Sequence, residues 1–214
     1  MQIGIIICLL LLGGLQPLKG QRILSEGTLV YTITVFPQPG QENLAEAFGG
    51  ALQTVWLRGN LARIDFNSQL RKQTTIYNGG TGEGSILRES GTEKYQWNLN
   101  AIQWATLHSK WKQIDWNIGS ETKEVGGYIC YHATGVSAEG DTIGVYFTKQ
   151  ILPVVKGYDP MFINIDGLPV EYETITKGFT VKFSLTGLQT SAVAATRFDI
   201  PQIGYKILDP EKNY

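Results

Sequence analysis

Cysteine and histidine are scarce, at two residues each in 214. Cys8 lies within an N-terminal apolar run, which leaves Cys130 as the one thiol of the remaining chain and excludes an internal disulfide framework there. A metal centre built from Cys and His needs three or four ligands. Cys130, His108 and His132 are all that the rest of the chain offers, and no metal or other cofactor is expected. Charge is sparse and balanced: 18 basic against 19 acidic residues, with no basic stripe, charge run or repeat. Nucleic acid is therefore a poor partner, and a strongly anionic membrane surface is disfavoured for the same reason. Long hydrophobic runs are also missing. The one candidate, Ile5 to Leu12, is broken by Gly13, Gly14, Gln16, Pro17 and Lys19, well short of the roughly 20 apolar residues that a spanning helix needs.

That short run followed by a small residue, Gly20, reads as a secretory signal peptide removed by the Sec route. The expected organisation is a signal over residues 1–20 and a single domain over 21–214, with no integral membrane segment left. Two features depart from the usual pattern: the n-region has no Lys or Arg, and Leu18 stands where a small residue is common. Cys8 lacks the small residues that precede a lipidated cysteine. Loss of Lys19 takes the 18 basic residues to 17 against 19 acidic, a net charge of −2. A chain of this length buries about 70% of its unfolded surface on folding, enough for one core without staples.

Most of the chain alternates polar with apolar or aromatic residues in short runs broken by Gly and Asn, the period of half-buried strands. In "KGFTVKFSLTG", Phe179, Val181, Phe183 and Leu185 share one face while Thr180, Lys182, Ser184 and Thr186 share the other. "WLRGNLARIDF" reads as a hairpin turning at Gly59 and Asn60, with Trp56 and Leu57 on one arm and Ala62, Ile64 and Phe66 on the other. The pattern predicts a mainly β fold of consecutive antiparallel hairpins. Two segments break it. "QENLAEAFGGAL" spaces Leu44, Phe48 and Leu52 as on a short amphipathic helix over 41–52, and "KGYDPMFINIDGLPV" reads as a long loop or short helix crossing one end of the sheet.

The motifs "VWLRGNLARIDF", "TTIYNGG", "EVGGYICYHATG", "FINIDGLPVEYE" and "FDIPQIGYKIL", in that order, resemble a secreted bacterial family of unknown function related to the GLPGLI families. The resemblance covers about residues 27 to 208; the element "GLPVEY", Gly167 to Tyr172, keeps only Gly167, Leu168 and Pro169 of the GLPGLI motif. It implies a Gram-negative envelope location, in the periplasm or at the outer membrane. It also implies a single curved antiparallel sheet or half-open barrel similar to the lipoprotein carriers LolA and LolB, with one or two short helices or loops as lid. The family supplies no catalytic residues.

Candidate sites are few. Cys130 and His132 lie two apart on a predicted strand, sharing a face with Tyr128 and Thr134. Their Cβ atoms are about 6–7 Å apart by the strand repeat, too far for a nucleophile and base, and a third orienting group is missing. A buried, inert thiol is the expectation. Asp65, Asp115, Glu171 and Glu173 read as solvated strand carboxylates balanced by Arg63, Lys72 or Lys182. "GGTGEGS" lacks the Lys and Ser/Thr of a phosphate loop and reads as a turn. Aromatic residues are the more suggestive feature. If the sheet curves, Trp56, Phe66, Tyr77, Trp97 and Trp104 line its concave side as an apolar wall, and Leu44, Phe48, Phe162 and Leu168 belong to the lid. The expected function is then non-enzymatic binding of a lipid or other apolar small molecule. The alternative is a structural or interaction module with a filled core that engages an envelope protein, and an enzyme using Glu171 or His132 is a third reading.

Overall fold

The computed structural model describes residues 20–213 apart from 38, 40–42, 44–47 and 177–178. The segment expected to be a signal peptide over residues 1–20, apart from Gly20, lies outside the described residues, as do Leu44 and half of the helix predicted over 41–52. Among those described, twelve strands form one curved open sheet and two more pair beside it. The chain starts with β1 (Arg22–Leu24) and β2 (Glu26–Pro37). It then folds as a meander of β3 (Leu52–Arg58), β4 (Leu61–Asn67), β5 (Lys72–Asn78), β6 (Glu83–Ser90) and β7 (Glu93–Leu99). Two short helices, α1 (Ala101–Leu107) and α2 (Ser109–Lys112), lead to β8 (Asn117–Val125), β9 (Tyr128–Val136), β10 (Thr142–Thr148) and β11 (Ile151–Pro153). Two single 3₁₀ turns, Lys156–Tyr158 and Pro160–Phe162, precede β12 (Leu168–Thr176) and β13 (Phe179–Gln189), and the chain ends with β14 (Lys206–Ile207) and α3 (Pro210–Asn213).

The large sheet runs β14-β7-β6-β5-β4-β3-β2-β13-β12-β10-β9-β8. Every pair in it is antiparallel except β14 with β7, while β1 and β11 pair in parallel outside it. The pleat sorts the alternating sequence into two faces. Val55 pairs with Leu29 and Ile64, and Leu57 with Ala62, so β2 to β4 set these aliphatic side chains on one inner face. Phe183 joins that face opposite Ile33 and Tyr172. The β3–β4 hairpin turns at Gly59 and Asn60 as its sequence predicts, but only Gly59 has positive φ, at 56°, which is the pattern of a turn with glycine at its first central position.

The inner face carries the principal core, in which Leu29, Val55, Leu57, Ile143, Val145, Phe147 and Leu168 are fully buried. Two segments lie over it. One is α1–α2, which carries Trp104, a residue expected on the sheet itself. Its start is set by a capping box: the Asn100 Oδ1 accepts from the Gln103 N–H at 2.9 Å, and the Gln103 Oε1 accepts from the Asn100 N–H at 3.1 Å. The other is the 156–167 segment, whose two 3₁₀ turns drop Tyr158 and Phe162 into the core. The predicted lid splits accordingly. Phe162 lies on the covering segment, whereas Leu168 is the first residue of β12 and fully buried. Leu52, assigned to the helix by its spacing, is instead the first residue of β3, because the apolar spacing over 44–52 runs past a turn at Phe48–Gly50. On the outer face, the segment after β13 crosses β3 to β6 as a strap, burying Val193 and Phe198 against Ile76 and Leu87.

Candidate functional site

Of the five residues expected to form one apolar wall, the pleat keeps Phe66, Tyr77 and Trp97 on the inner face. Phe66 follows Ile64 by two, Tyr77 pairs with Ala62, and Trp97 pairs with Ile86 across from Thr75. Trp104 reaches that face from α1. Its indole stacks on Tyr77 with centroids 4.9 Å apart and lies directly over Gly84, where a Cβ would come within 2.2 Å of the ring atom Cζ3. Gly84 is therefore the notch that admits Trp104. Trp56 is the exception: it pairs with Arg63 and points to the outer face, held between the guanidinium groups of Arg197 at 4.7 Å and Arg63 at 5.8 Å. Its neighbour Leu57 takes the inner position, as strict alternation requires.

A groove of about 310 Å³ remains on the inner face beside this packing, lined by Phe66, Trp104, Tyr158, Pro160 and Phe183 together with Gln53, Arg71, Gln73 and His108. Phe66 forms its wall, with the Phe48 ring edge-on at 6.1 Å and the Arg71 guanidinium at 5.7 Å. Gln53 donates to the Tyr172 hydroxyl at 3.2 Å, and Tyr31 donates to the Pro169 carbonyl at 2.9 Å. Asp159 lines the same groove, and its Oδ1 accepts from the Met161 N–H at 3.2 Å, capping the second 3₁₀ turn. Burial pushes the Asp159 carboxyl up to about 6, opposed in part by that backbone hydrogen bond. Burial likewise raises Tyr158 and Tyr172, with the Asp159 charge adding to both. His108 is pushed down by burial, although its Nδ1 lies 2.9 Å from the Trp104 carbonyl.

Cys130 is fully buried, its Sγ donates to the Tyr128 carbonyl at 3.5 Å, and burial pushes the thiol up to about 11. A thiol held that far above neutrality is a weak nucleophile. His132 is exposed two residues on, its ring against Tyr146 at 4.7 Å. It shares a hollow of about 130 Å³ with Tyr146, Glu171, Glu173 and Lys182. There the Lys182 Nζ sits 2.9 Å from the Glu171 Oε2, which also accepts from Ser184 at 3.4 Å. Arg63 likewise pairs with Asp65 at 2.8 Å. Among the described residues, no three His, Cys, Asp or Glu side chains are placed to hold a metal ion.

The residues that sequence reasoning missed are Asp159, Tyr158 and His108. The signal for the helix that brings in His108 and Trp104 was present as Asn-x-x-Gln at 100–103. Nothing local marks Asp159, because its burial depends on strands far away in the chain.

No family model matches the chain, and no curated protein matches it. Among solved structures it is similar to PNGF-II at 16% identity and a TM-score of 0.40, over 85% of this chain and 30% of that one. It is similar to MucB in complex with MucA(peri) at 11% identity and a TM-score of 0.43, over 84% of this chain and 56% of that one. A third likeness is to the MucA/MucB complex of Pseudomonas aeruginosa, at 14% identity and a TM-score of 0.31, over 82% and 55%. The chain thus spans between about a third and just over half of the structures it matches. These likenesses name neither a family nor an activity for this chain. Among the described residues, no helix is long and apolar enough to cross a membrane.

Proposed function

We propose that this chain is a non-enzymatic protein of the Gram-negative envelope, exported to the periplasm or the outer-membrane surface, that holds the apolar part of a lipid or other amphipathic molecule in its inner-face groove. The observation that carries this reading is the aromatic wall of Phe66, Trp104, Tyr158 and Phe183 beside the polar Gln53, Arg71 and Gln73. Concave, largely apolar clefts with a few convergent polar groups are the usual form of small-molecule sites. At about 310 Å³ the groove is near the lower end of the range for such sites, about 300–1,000 Å³, so its occupant is one slim apolar group rather than a bundle of acyl chains. The resemblance of the ordered motifs to the GLPGLI-related secreted family supports the envelope setting.

Titration with laurate, followed by tryptophan fluorescence, tests the reading because Trp104 lines the groove. A saturable change is expected in the wild-type protein, with its loss in Phe66→Glu at an unchanged melting temperature. A strictly linear response in both proteins contradicts the reading. A second reading, an interaction module that engages an envelope protein, is favoured by how much of the inner face Trp104, Tyr158 and Phe162 fill. Its partner would not add a strand at β8, because that exposed edge carries three charged side chains and an irregular pairing between Ile118 and Thr122, features that blunt a sheet edge. The same titration separates the two, since a filled module gives no saturable response.

A further inference from the structure

We infer that a second groove, on the outer face where β5 to β7 meet the strap, binds a neutral oligosaccharide. It encloses about 650 Å³, larger than the inner groove and separate from it. Its floor is polar where an outer sheet face covered by a strap would ordinarily be aliphatic. Ser85 and Gln96 are 2% and 3% exposed, beside the buried Ile76 and Leu87. The two are tied to one atom, the Oδ1 of Asn98, which accepts from the Ser85 hydroxyl at 2.8 Å and from the Gln96 amide at 3.0 Å. That double acceptance fixes the Asn98 amide and leaves its NH₂ for another partner. The capping box does the same at the groove's end: the oxygens of Asn100 and Gln103 are both engaged, and both amide nitrogens are left over.

The ligand class follows from what this array can satisfy. Glu83 is the single charged side chain among the described residues that line the groove. With no Lys or Arg there, phosphates and other anions lack the charge-assisted partners they require. A wholly apolar occupant would strip water from the amide nitrogens of Asn98, Asn100 and Gln103 without replacing its hydrogen bonds. A neutral molecule rich in hydroxyl and ether oxygens meets both conditions. The opposite wall, Leu61, Ile76, Phe198 and Ile200, offers an apolar surface to the C–H face of a sugar ring. An extended peptide would instead seek backbone groups on a sheet edge. The edge of β7 beside the groove is occupied by β14 at Tyr95 and Gln96, and the Leu208 N–H donates to the Gln96 carbonyl at 2.9 Å. Recognition here comes from side-chain amides.

The test is an array carrying neutral and acidic oligosaccharides alongside a library of unstructured peptides, probed with the fluorescently labelled exported protein. Affinities for retained glycans are then measured by calorimetry. Retention of neutral oligosaccharides is expected, weakened about tenfold or more by Asn98→Asp, which keeps the Oδ1 acceptor and removes the NH₂ donor. Gln202→Ala on the strap provides a second variant if Asn98→Asp melts at a lower temperature than the wild type. Retention of no glycan, of acidic glycans or peptides alone, or of neutral glycans by the variants as tightly as by the wild type overturns the inference. Loss of laurate binding by Phe66→Glu leaves it untouched, because the two grooves lie on opposite faces.

Discussion

Trp104→Ala is expected to lower folding stability by about 3–5 kcal/mol, the usual cost of truncating a buried large aromatic side chain. Trp104 is 5% exposed, stacks on Tyr77, contacts His108 at 4.3 Å between ring centroids and fills the notch over Gly84. Few neighbours are free to collapse into the vacated space, because the notch is backbone on one side and the sheet's pleat on the other. Urea denaturation of the purified protein, with an unchanged m-value, is the measurement. A loss below about 1 kcal/mol would mean that the ring contributes little to the core. The same substitution enlarges the inner groove at the position where the ligand is proposed to lie. A retained or broadened ligand preference in a destabilised protein therefore fits the account.

Asp159→Asn is expected to stabilise the protein above pH 6 and to remove a pH dependence. The carboxyl is raised from an ordinary value of 3.8 to about 6 by burial, so the folded state favours its protonated form. Stability from this group is fully present below the unfolded value and is lost as pH rises through about 6. The shift corresponds to about 3 kcal/mol between pH 4 and pH 7, an order-of-magnitude figure from 1.36 kcal/mol per unit. Asparagine keeps the oxygen that accepts from Met161 and carries no charge, so the variant should show a flatter profile and exceed the wild type at pH 8. Tyr31, Tyr158 and Tyr172 surround this carboxyl, and each is held further above its usual range by the Asp159 charge. Thermal melts between pH 4 and 8 decide it. A wild type whose melting temperature is constant across that window, or an Asn variant that is less stable at pH 8, contradicts the burial assigned here. The position of Asp159 within the covering segment, at the start of the second 3₁₀ turn and lining the groove, ties this titration to the groove.

The antiparallel hairpins were legible because their information is local. Alternation in "KGFTVKFSLTG" set Phe179, Val181, Phe183 and Leu185 on one face, and Gly59 and Asn60 in "WLRGNLARIDF" marked the turn between β3 and β4. The same alternation misleads at Trp104. A residue seven positions beyond Trp97 reads as another strand position until the Asn100–Gln103 capping box is weighed against it. Trp56 was placed on the concave side by its ring rather than by its pairing with Arg63, and the register puts it outside. The outer groove was beyond reach because it joins β5, β6 and β7 to a strap about 100 residues later in the chain, and no short motif records that contact. Asp159 belongs with it: its raised carboxyl is a property of burial, which sequence spacing does not report.

Native mass spectrometry of the protein expressed in and purified from a Gram-negative periplasm, followed by organic extraction, tests the inner-groove reading most directly. The account predicts an adduct of lipid-like mass that extraction releases and that Phe66→Glu no longer carries. A bare mass in the wild type, from a protein that melts cooperatively and gives no saturable fluorescence response to laurate, would contradict it and leave the aromatic residues of the inner face as core alone.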